Sequence, residues 1–374
     1  MRLHILGLPH TRTSSEFSTC AYTQKVVNLC KMMMRRGHEV YHYGTAGSTP
    51  ECTEHIETIS AETWERCYGA REATEFYKFG LTDPAYMEFS QRTNAALKER
   101  VRPWQDIVCC PWGVAHKTAV EGVETFIVES GIGYPETFAR FRVFESYAWM
   151  HFHLGHEGKW SGRCWEDTVI ENYYDPMLFR FQPVKEDYFL YLGRIQADKG
   201  VQIAVETCRA IGAPLIICGQ GDPAPFLEPH VVYRPPVGID ERRELLAHTR
   251  GLFAPTHYVE PWGGVVIEAQ ASGTPVLTTN HGAFTENVLH GITGYRCQSH
   301  SQFIWAAEHI TEISPQACRD WAQNFTLEAV APRYEEYFQM VLDRARGGWY
   351  EPHPDRSNLS WLRKVFPEQM VGVS

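Results

Sequence analysis

The chain of 374 residues lacks the long apolar runs and the cationic excess that point to membrane or nucleic-acid partners. No stretch approaches the roughly 20 apolar residues that a membrane-spanning helix needs. Lys and Arg total 35 against 45 Asp and Glu, so the formal net charge is −10. A chain this acidic has no overall positive field to attract polyanions. These absences disfavour an integral membrane protein and an avid nonspecific nucleic-acid binder.

The sequence predicts no secretory leader and shows no regular cysteine spacing. The apolar run within residues 1–9 is shorter than the hydrophobic region of a signal peptide. The 11 cysteines are odd in number and scattered, which is typical of reduced thiols. We therefore expect a cytoplasmic protein without an integral membrane segment.

What is present is enough apolar sequence for two packed domains. The composition is 44% hydrophobic and 21% charged, and a domain takes roughly 150 residues. Both halves alternate short apolar runs with helical periodicity, which predicts parallel sheets covered by helices. The predicted fold class is α/β, with two Rossmann-like, doubly wound domains that face each other across a cleft.

The predicted organisation has four parts. Residues 1–172 form an acceptor-side domain, 173–187 a linker, 188–345 a donor-binding domain, and 346–374 an appendage that could pack on the first domain. Strands are expected at residues 2–8, 39–43, 106–110, 123–128, 188–193, 214–218, 252–255 and 276–279. Helices are expected at 20–36, 137–153, 263–272 and 284–289, with a further helix capped by Asp198. Ligands of such sheets bind at the carboxyl ends of the strands.

Two segments of the second half have the chemistry of a phosphate site. Gly193 and Arg194 end a predicted strand, and Lys199 with Gly200 opens the next helix. An arginine fork and a lysine charge beside a helix N-terminus can hold a diphosphate. Each cation alone would more often belong to a surface ion pair.

Two further segments carry glycines and paired carboxylates. Gly219 and Gly221 form a tight turn after a strand. Glu260 ends a loop, and Gly263 and Gly264 open a helix with bare backbone amides that a phosphate or sugar can approach. One helical turn later, about 6 Å along the axis, stands Glu268. A carboxylate there can hold a ribose diol while the amides hold phosphate, although alone it would more often be a solvated helix residue.

Residues 188–297 resemble the donor half of the GT-B glycosyltransferases, in particular the large retaining family 4. The Gly-Arg and Lys-Gly pairs, the Glu-x7-Glu element from Glu260 to Glu268, and the run Ala-Ser-Gly-Thr-Pro-Val occur in order and at family-like spacing. The resemblance is strong over about a third of the chain and weaker elsewhere. It implies a GT-B fold and transfer of a sugar from a nucleotide sugar to an acceptor hydroxyl with retention of anomeric configuration.

The resemblance also implies residue roles. Arg194 and Lys199 would neutralise the donor diphosphate, Glu268 would bind the ribose, and Glu260 would contact the transferred sugar. The remaining donor contacts implied in this way are Gly193, Gly219, Gly221, Gly263, Gly264, Val265 and Val237. The donor is a substrate, with UDP- or GDP-sugars expected, and no cofactor or metal is implied because two cations and a helix dipole can supply the charge.

The first half carries weaker signals. Relatives have a Gly-Gly loop after the first strand, whereas residues 10–17 contain no glycine. Glu129 follows a predicted strand and is a candidate for acceptor orientation or proton handling. A turn-capping role for this carboxylate is an equal alternative, and His116 is a weaker candidate. Trp112 and Trp262 follow strands and could line the cleft.

A histidine cluster and three alternative functions complete the sequence hypotheses. His151 and His153 would point to nearly opposite faces of a helix, so a metal site with His156 and Glu157 is disfavoured. The acceptor would be a small molecule, a glycan or a lipid. The alternatives are a nucleotide-sugar epimerase, a catalytically silent sugar-nucleotide scaffold, and a phage-type transferase that acts on modified DNA bases. The net charge disfavours the last.

Overall fold

Two parallel sheets form the framework of the protein, of which the computed structural model describes residues 1–158 and 166–344. The first sheet has the strand order β3-β2-β1-β4-β5-β6-β7, and the second has the order β10-β9-β8-β11-β12-β13. The strands of the first sheet are β1 Arg2–Leu6, β2 Glu39–Thr45, β3 Glu54–Ile59, β4 Ile107–Cys109, β5 Phe126–Ile132, β6 Phe141–Phe144 and β7 Asp167–Val169. Those of the second are β8 Phe189–Leu192, β9 Leu215–Cys218, β10 Val231–Arg234, β11 Gly251–Ala254, β12 Val276–Thr279 and β13 Gly294–Cys297.

Helices connect these strands and cover both sheets. In the first part of the chain, which contains strands β1 to β7, the helices are α1 Ala21–Arg35, α2 Ala61–Tyr68, α3 Pro84–Arg100 and α4 Tyr147–His156. In the second part, which begins with β8, the helices are α5 Val201–Ile211, α6 Ile239–His248, α7 Gly264–Ala271, α8 Phe284–Asn287, α9 His300–Glu308, α10 Pro315–Ala322 and α11 Leu327–Asp343. None of the helices described is long and apolar enough to cross a bilayer.

The strand order creates a switch point in each sheet. In the first sheet the chain moves outward from β1 to β3 and then returns to β4 on the other side of β1. The second sheet repeats this arrangement at β8 and β11. Loops diverge at such points and leave a crevice at the carboxyl ends of the strands. The predicted doubly wound α/β class is confirmed, and the two crevices face one cleft.

The last helix of the described chain packs on the first sheet rather than the second. Its stripe of Leu327, Val330, Tyr334, Phe338 and Val341 is buried in the same core as β1, β4 and α1. The sequence prediction placed this segment in the second domain, residues 188–345. The spacing of three and four residues puts these apolar side chains on one face of α11. This face packs against the first sheet. The predicted appendage, residues 346–374, lies outside the described residues.

Two local predictions were wrong. Residues 137–153 do not form one helix, because residues 141–144 add strand β6 beside β5 and α4 begins only at Tyr147. The side chain of Ser146 caps α4 by accepting the N–H of Trp149. Asp198 does not cap α5. The residue at that N-cap is Gly200, whose φ of 71° is left-handed and whose Cβ would lie 2.1 Å from the carbonyl oxygen of Pro255.

The N-terminus of α4 ties the two sheets together. Glu286 of α8, in the second part, accepts the N–H groups of Tyr147 and Ala148 at 2.9 and 2.7 Å. The hydroxyl of Ser146 donates to the carbonyl of Pro261 at 2.7 Å. A carboxylate at a helix N-terminus satisfies amides that have no partner within the helix and interacts well with the helix dipole. The contact therefore fixes β6 and α4 against the loop that precedes α7.

Replacing the carboxylate that caps α4 from the second part should destabilise the whole protein. We expect Glu286→Ala to lower the free energy of unfolding by about 1 kcal/mol, as for other lost helix caps. Urea unfolding followed by circular dichroism measures the change. Glu308→Ala, at an exposed glutamate of α9, is the control and should change stability by less than about 0.5 kcal/mol. Equal losses in both variants would contradict the capping role.

Candidate active site

A cavity of about 630 Å³ lies between the two sheets and is lined from both sides. Its second-part wall contains most of the residues that the sequence analysis selected: Gly193, Arg194, Lys199, Gly219, Val237, Glu260, Gly263, Gly264, Val265 and Glu268. Trp112 and Trp262 also line it. Gly221 and Glu129 are not among the lining residues.

Two glycine turns form the base of this wall by packing backbone against backbone. The N–H of Gly193 donates to the carbonyl of Cys218 at 3.0 Å. A Cβ on Gly219, whose φ is 153°, would lie 1.9 Å from the carbonyl oxygen of Gly193. A Cβ on Gly221 would lie 2.7 Å from the backbone oxygen of Ile195. Any side chain at Gly219 or Gly221 would therefore collide with the adjoining backbone. Gly221 packs behind the cavity wall and does not line the cavity itself.

The two candidate phosphate cations lie on the loop after β8. The ammonium of Lys199 donates to Glu260 Oε2 at 2.6 Å and lies 4.7 Å from the ring centroid of Tyr258. The guanidinium of Arg194 lies 5.3 Å from the ring centroid of Phe76, which comes from the first part. Arg194 forms no ion pair within residues 1–158 and 166–344, so its charge is available to a bound anion.

The start of α7 supplies backbone donors. Gly263 has a φ of 75°, and a Cβ on it would lie 2.7 Å from the ring of Phe284. A Cβ on Gly264 would have no neighbouring atom within 4 Å. The N–H groups of Gly264 and Val265 donate to no described residue, as expected in the first turn of a helix. Free amides and the positive end of the helix dipole suit an anion.

Glu268 has an arginine partner that the sequence analysis missed. It accepts a charge-assisted hydrogen bond from the guanidinium of Arg242, on α6. Arg242 also reaches across the cleft to the carbonyl of Ser18 at 3.4 Å. Arg242 belongs to no motif, and its helix carries several charged residues with similar local patterns. Only the packing of α6 beside α7 distinguishes it.

Glu129 is not at a strand end, as predicted, but inside β5, and it is fully buried. Its Oε2 accepts the N–H groups of Phe138 and Ala139 at 2.9 and 2.8 Å, and its Oε1 accepts the hydroxyl of Tyr134 at 3.2 Å. Burial raises the pKa of this carboxyl from 4.5 to about 7, against the lowering effect of these hydrogen bonds. The structure therefore favours the turn-capping alternative.

Of the remaining histidine candidates, His116 and His153 are buried packing residues, whereas His151 and His156 are exposed. His116 Nε2 lies 2.9 Å from the carbonyl oxygen of Gly7, and burial lowers the pKa of this histidine to about 3. His153 Nε2 lies 2.9 Å from the carbonyl oxygen of Tyr134. The Nε2 atom of each of these two rings is thus within hydrogen-bonding distance of a backbone carbonyl in the first part of the chain.

Comparison with known proteins places this site in context. Residues 186–312 match the family model described as glycosyl transferases group 1. Glycogen synthase from Mycobacterium tuberculosis is 35% identical over 150 residues, which are 35% of this chain and 36% of that protein. The chain thus spans about a third of the length of this curated relative.

Solved structures cover more of the chain. Sucrose-phosphate synthase from Thermosynechococcus elongatus has a TM-score of 0.69 at 16% identity, over 91% of this chain and 99% of that one. HepE from Anabaena in complex with UDP-glucose has a TM-score of 0.65 at 15% identity, over 91% and 99%. The fold is therefore GT-B, as predicted. The matched family segment coincides with the second-part wall of the cavity.

The pKa of Glu129 predicts how stability depends on pH. Its native pKa of about 7 lies above the ordinary 4.5, so the native state holds a proton that the unfolded state releases between those values. The resulting stabilisation is complete below about pH 4.5 and is lost as the pH rises through about 7, amounting to about 3 kcal/mol.

Glu129→Gln should remove this pH dependence, because the amide can still accept the two backbone N–H groups but does not titrate. Urea unfolding of both proteins over this pH range gives the difference in slope. Parallel curves for the two proteins would contradict a buried, proton-binding Glu129.

Proposed function

We propose that the protein is a glycosyltransferase that moves a sugar from a nucleotide sugar, with UDP- or GDP-sugars as the expected donors, to an acceptor hydroxyl. One observation carries the proposal: a single cavity wall presents Arg194, Lys199, the free amides of α7 and Glu268, which together are the groups that a nucleotide diphosphate sugar requires. The match to group 1 glycosyl transferases over this segment supports it, as does the similarity to a structure bound to UDP-glucose.

The diphosphate would lie between the cations and α7. Arg194 can present a two-pronged donor to phosphate oxygens, and Lys199 a compact charge. The amides of Gly264 and Val265 add neutral donors whose positions are set before the ligand arrives. Because these groups are fixed by the fold, they need little reorganisation as charge develops on the leaving group. We propose that they serve without a metal ion.

The nucleoside would extend from α7 towards α6. Glu268 lies one helical turn after Gly264 and can accept hydrogen bonds from both ribose hydroxyls. Arg242 holds that carboxylate in place through a charge-assisted hydrogen bond. Beyond it, Pro236, Val237 and Ile239 line the cavity with apolar surface against which a base can pack.

We propose that transfer proceeds with retention through a front-side reaction. The bond between the anomeric carbon and the phosphate oxygen breaks as the acceptor oxygen bonds to the same face of that carbon. The acceptor proton passes to the leaving phosphate oxygen, so no protein base is consumed. Glu260, held by Lys199 at 2.6 Å, would bind hydroxyls of the transferred sugar. Closure of the cleft would exclude water.

Binding of nucleotide sugars to the wild type and to Glu268→Ala tests the proposal. A ligand at 100 times its dissociation constant stabilises a protein by about 2.7 kcal/mol. We expect UDP- or GDP-sugars, from a panel that also includes ADP- and dTDP-sugars, to raise the melting temperature of the wild type. The shift should be lost in Glu268→Ala because the ribose loses its acceptor.

Glu244→Ala, at an exposed glutamate of α6, is the control and should keep the shift. A folded protein that responds to no nucleotide sugar would overturn the proposal. Binding without any turnover would favour the silent scaffold, and epimerised donor without transfer would favour the epimerase.

A further inference from the structure

The first-part wall of the cavity contains a buried ion pair that neither the motifs nor the donor site explain. Lys25 of α1 and Glu145, which follows β6, contact each other through Nζ and Oε1, with side chains only 3% and 6% exposed. Lys25 also donates to the carbonyl of Gly131 at 2.6 Å and lies 4.4 Å from the ring centroid of Tyr22. Both charged residues line the cavity opposite the donor wall.

The local backbone makes room for this pair. A Cβ on Gly131, whose φ is 79°, would lie 2.9 Å from Cδ of Lys25. A Cβ on Gly133 would lie 2.7 Å from Oε2 of Glu145. Two glycines around the end of β5 thus make room for two charged side chains. Apolar side chains could fill the same space at a lower cost in desolvation free energy. An isolated buried ion pair contributes little to stability on balance, so a ligand is a better explanation for it.

Glu145 retains capacity to accept hydrogen bonds. A carboxylate has about four lone-pair sites, and within the described residues the only polar partner of Glu145 is the ammonium of Lys25. The next residue, Ser146, is tied to Pro261 beside Glu260. Glu145 is therefore fixed on the first-part wall close to the carboxylate proposed to hold the transferred sugar.

The surface around the ion pair of Lys25 and Glu145 is aromatic and uncharged. Tyr22 and Trp112 pack edge to face with ring centroids 4.4 Å apart, and His10 stacks on Phe79 at 4.3 Å. Burial lowers the pKa of His10 to about 3, so that ring is neutral. The cation of this wall, Lys25, is already paired. Aromatic faces and a carboxylate acceptor suit a neutral polyol ring, and among the described residues that line this wall no unpaired cation is left for a phosphate.

We infer that this wall is the acceptor site for an uncharged sugar, and that Glu145 accepts a hydrogen bond from one of its hydroxyls while Lys25 keeps the carboxylate in place. The inference rests on the proposed glycosyltransferase function and narrows its acceptor from a small molecule, glycan or lipid to a neutral carbohydrate. It disfavours sugar phosphates and nucleic acid, since their phosphates would face Glu145.

Binding of free sugars tests this inference without any donor. Saturation-transfer NMR titrations would use the methyl glycosides of glucose, galactose and mannose, with glucose 6-phosphate as the charged probe. We expect at least one methyl glycoside to bind and glucose 6-phosphate to bind more weakly. In Glu145→Gln the dissociation constant of that glycoside should rise about ten- to hundredfold, the usual cost of a lost hydrogen bond to a charged group.

Two further variants separate recognition from a general disturbance of the cleft. Lys25→Met with Glu145→Gln removes both charges, leaves no unpaired buried ion, and should bind the glycoside as weakly as Glu145→Gln. Lys31→Met breaks another pair of α1 with a buried carboxylate, that of Asp175, and should leave glycoside affinity unchanged. The thermal shift with the nucleotide sugar should persist in all three variants.

Distinct outcomes would overturn the two claims. Absence of glycoside binding, tighter binding of glucose 6-phosphate, or unchanged affinity in Glu145→Gln would overturn the neutral-sugar site even if nucleotide sugars bind. Absence of nucleotide-sugar binding in the wild type would instead overturn the proposed function, whatever the glycosides do.

Discussion

The cleft depends on the chain crossing between the two sheets more than once. After completing the second sheet, it returns as α11 and buries an apolar stripe in the core of the first sheet. The N-terminus of α4, from the first part, is capped by Glu286 from the second. These ties fix the carboxyl ends of two parallel sheets towards each other, and the candidate site residues gain their common cavity from that constraint.

Each wall of the cavity carries carboxylates that are paired with a cation of the same wall. Lys199 holds Glu260 on the donor wall, and Lys25 holds Glu145 on the other. Arg242 holds Glu268 further along the donor wall. Pairing orients these carboxylates and offsets part of the free-energy cost of removing their charges from water. Arg194 has no such partner among the described residues, and this asymmetry marks the position where a ligand's negative charge would be balanced.

The sequence predicted the second half better than the first for a physical reason. Backbone requirements leave local signals: Gly219 and Gly263 occupy positions where a Cβ would collide with neighbouring atoms, so both stand in recognisable turns. Side-chain pairs formed across elements leave none. Arg242 and Glu145 are ordinary charged residues in the sequence and acquire partners only through packing. Glu129 was misplaced because β5 continues past Val128, and one further strand residue changes a loop carboxylate into a buried one.

The same reasoning explains the errors in the fold. Residues 141–144 have the aromatic and β-branched character of a strand, yet their neighbours continue into a helix, so periodicity alone merged them. The stripe of α11 predicted an amphipathic helix but not which sheet would cover it. Partner choice is a long-range property that a single helical pattern does not contain.

A structure of the protein with UDP-glucose would show directly where the donor binds. We expect a diphosphate within hydrogen-bonding distance of the amides of Gly264 and Val265 and of the side chains of Arg194 and Lys199, with the ribose hydroxyls on Glu268. A nucleotide bound elsewhere, or bound here with its diphosphate away from α7, would contradict this expectation.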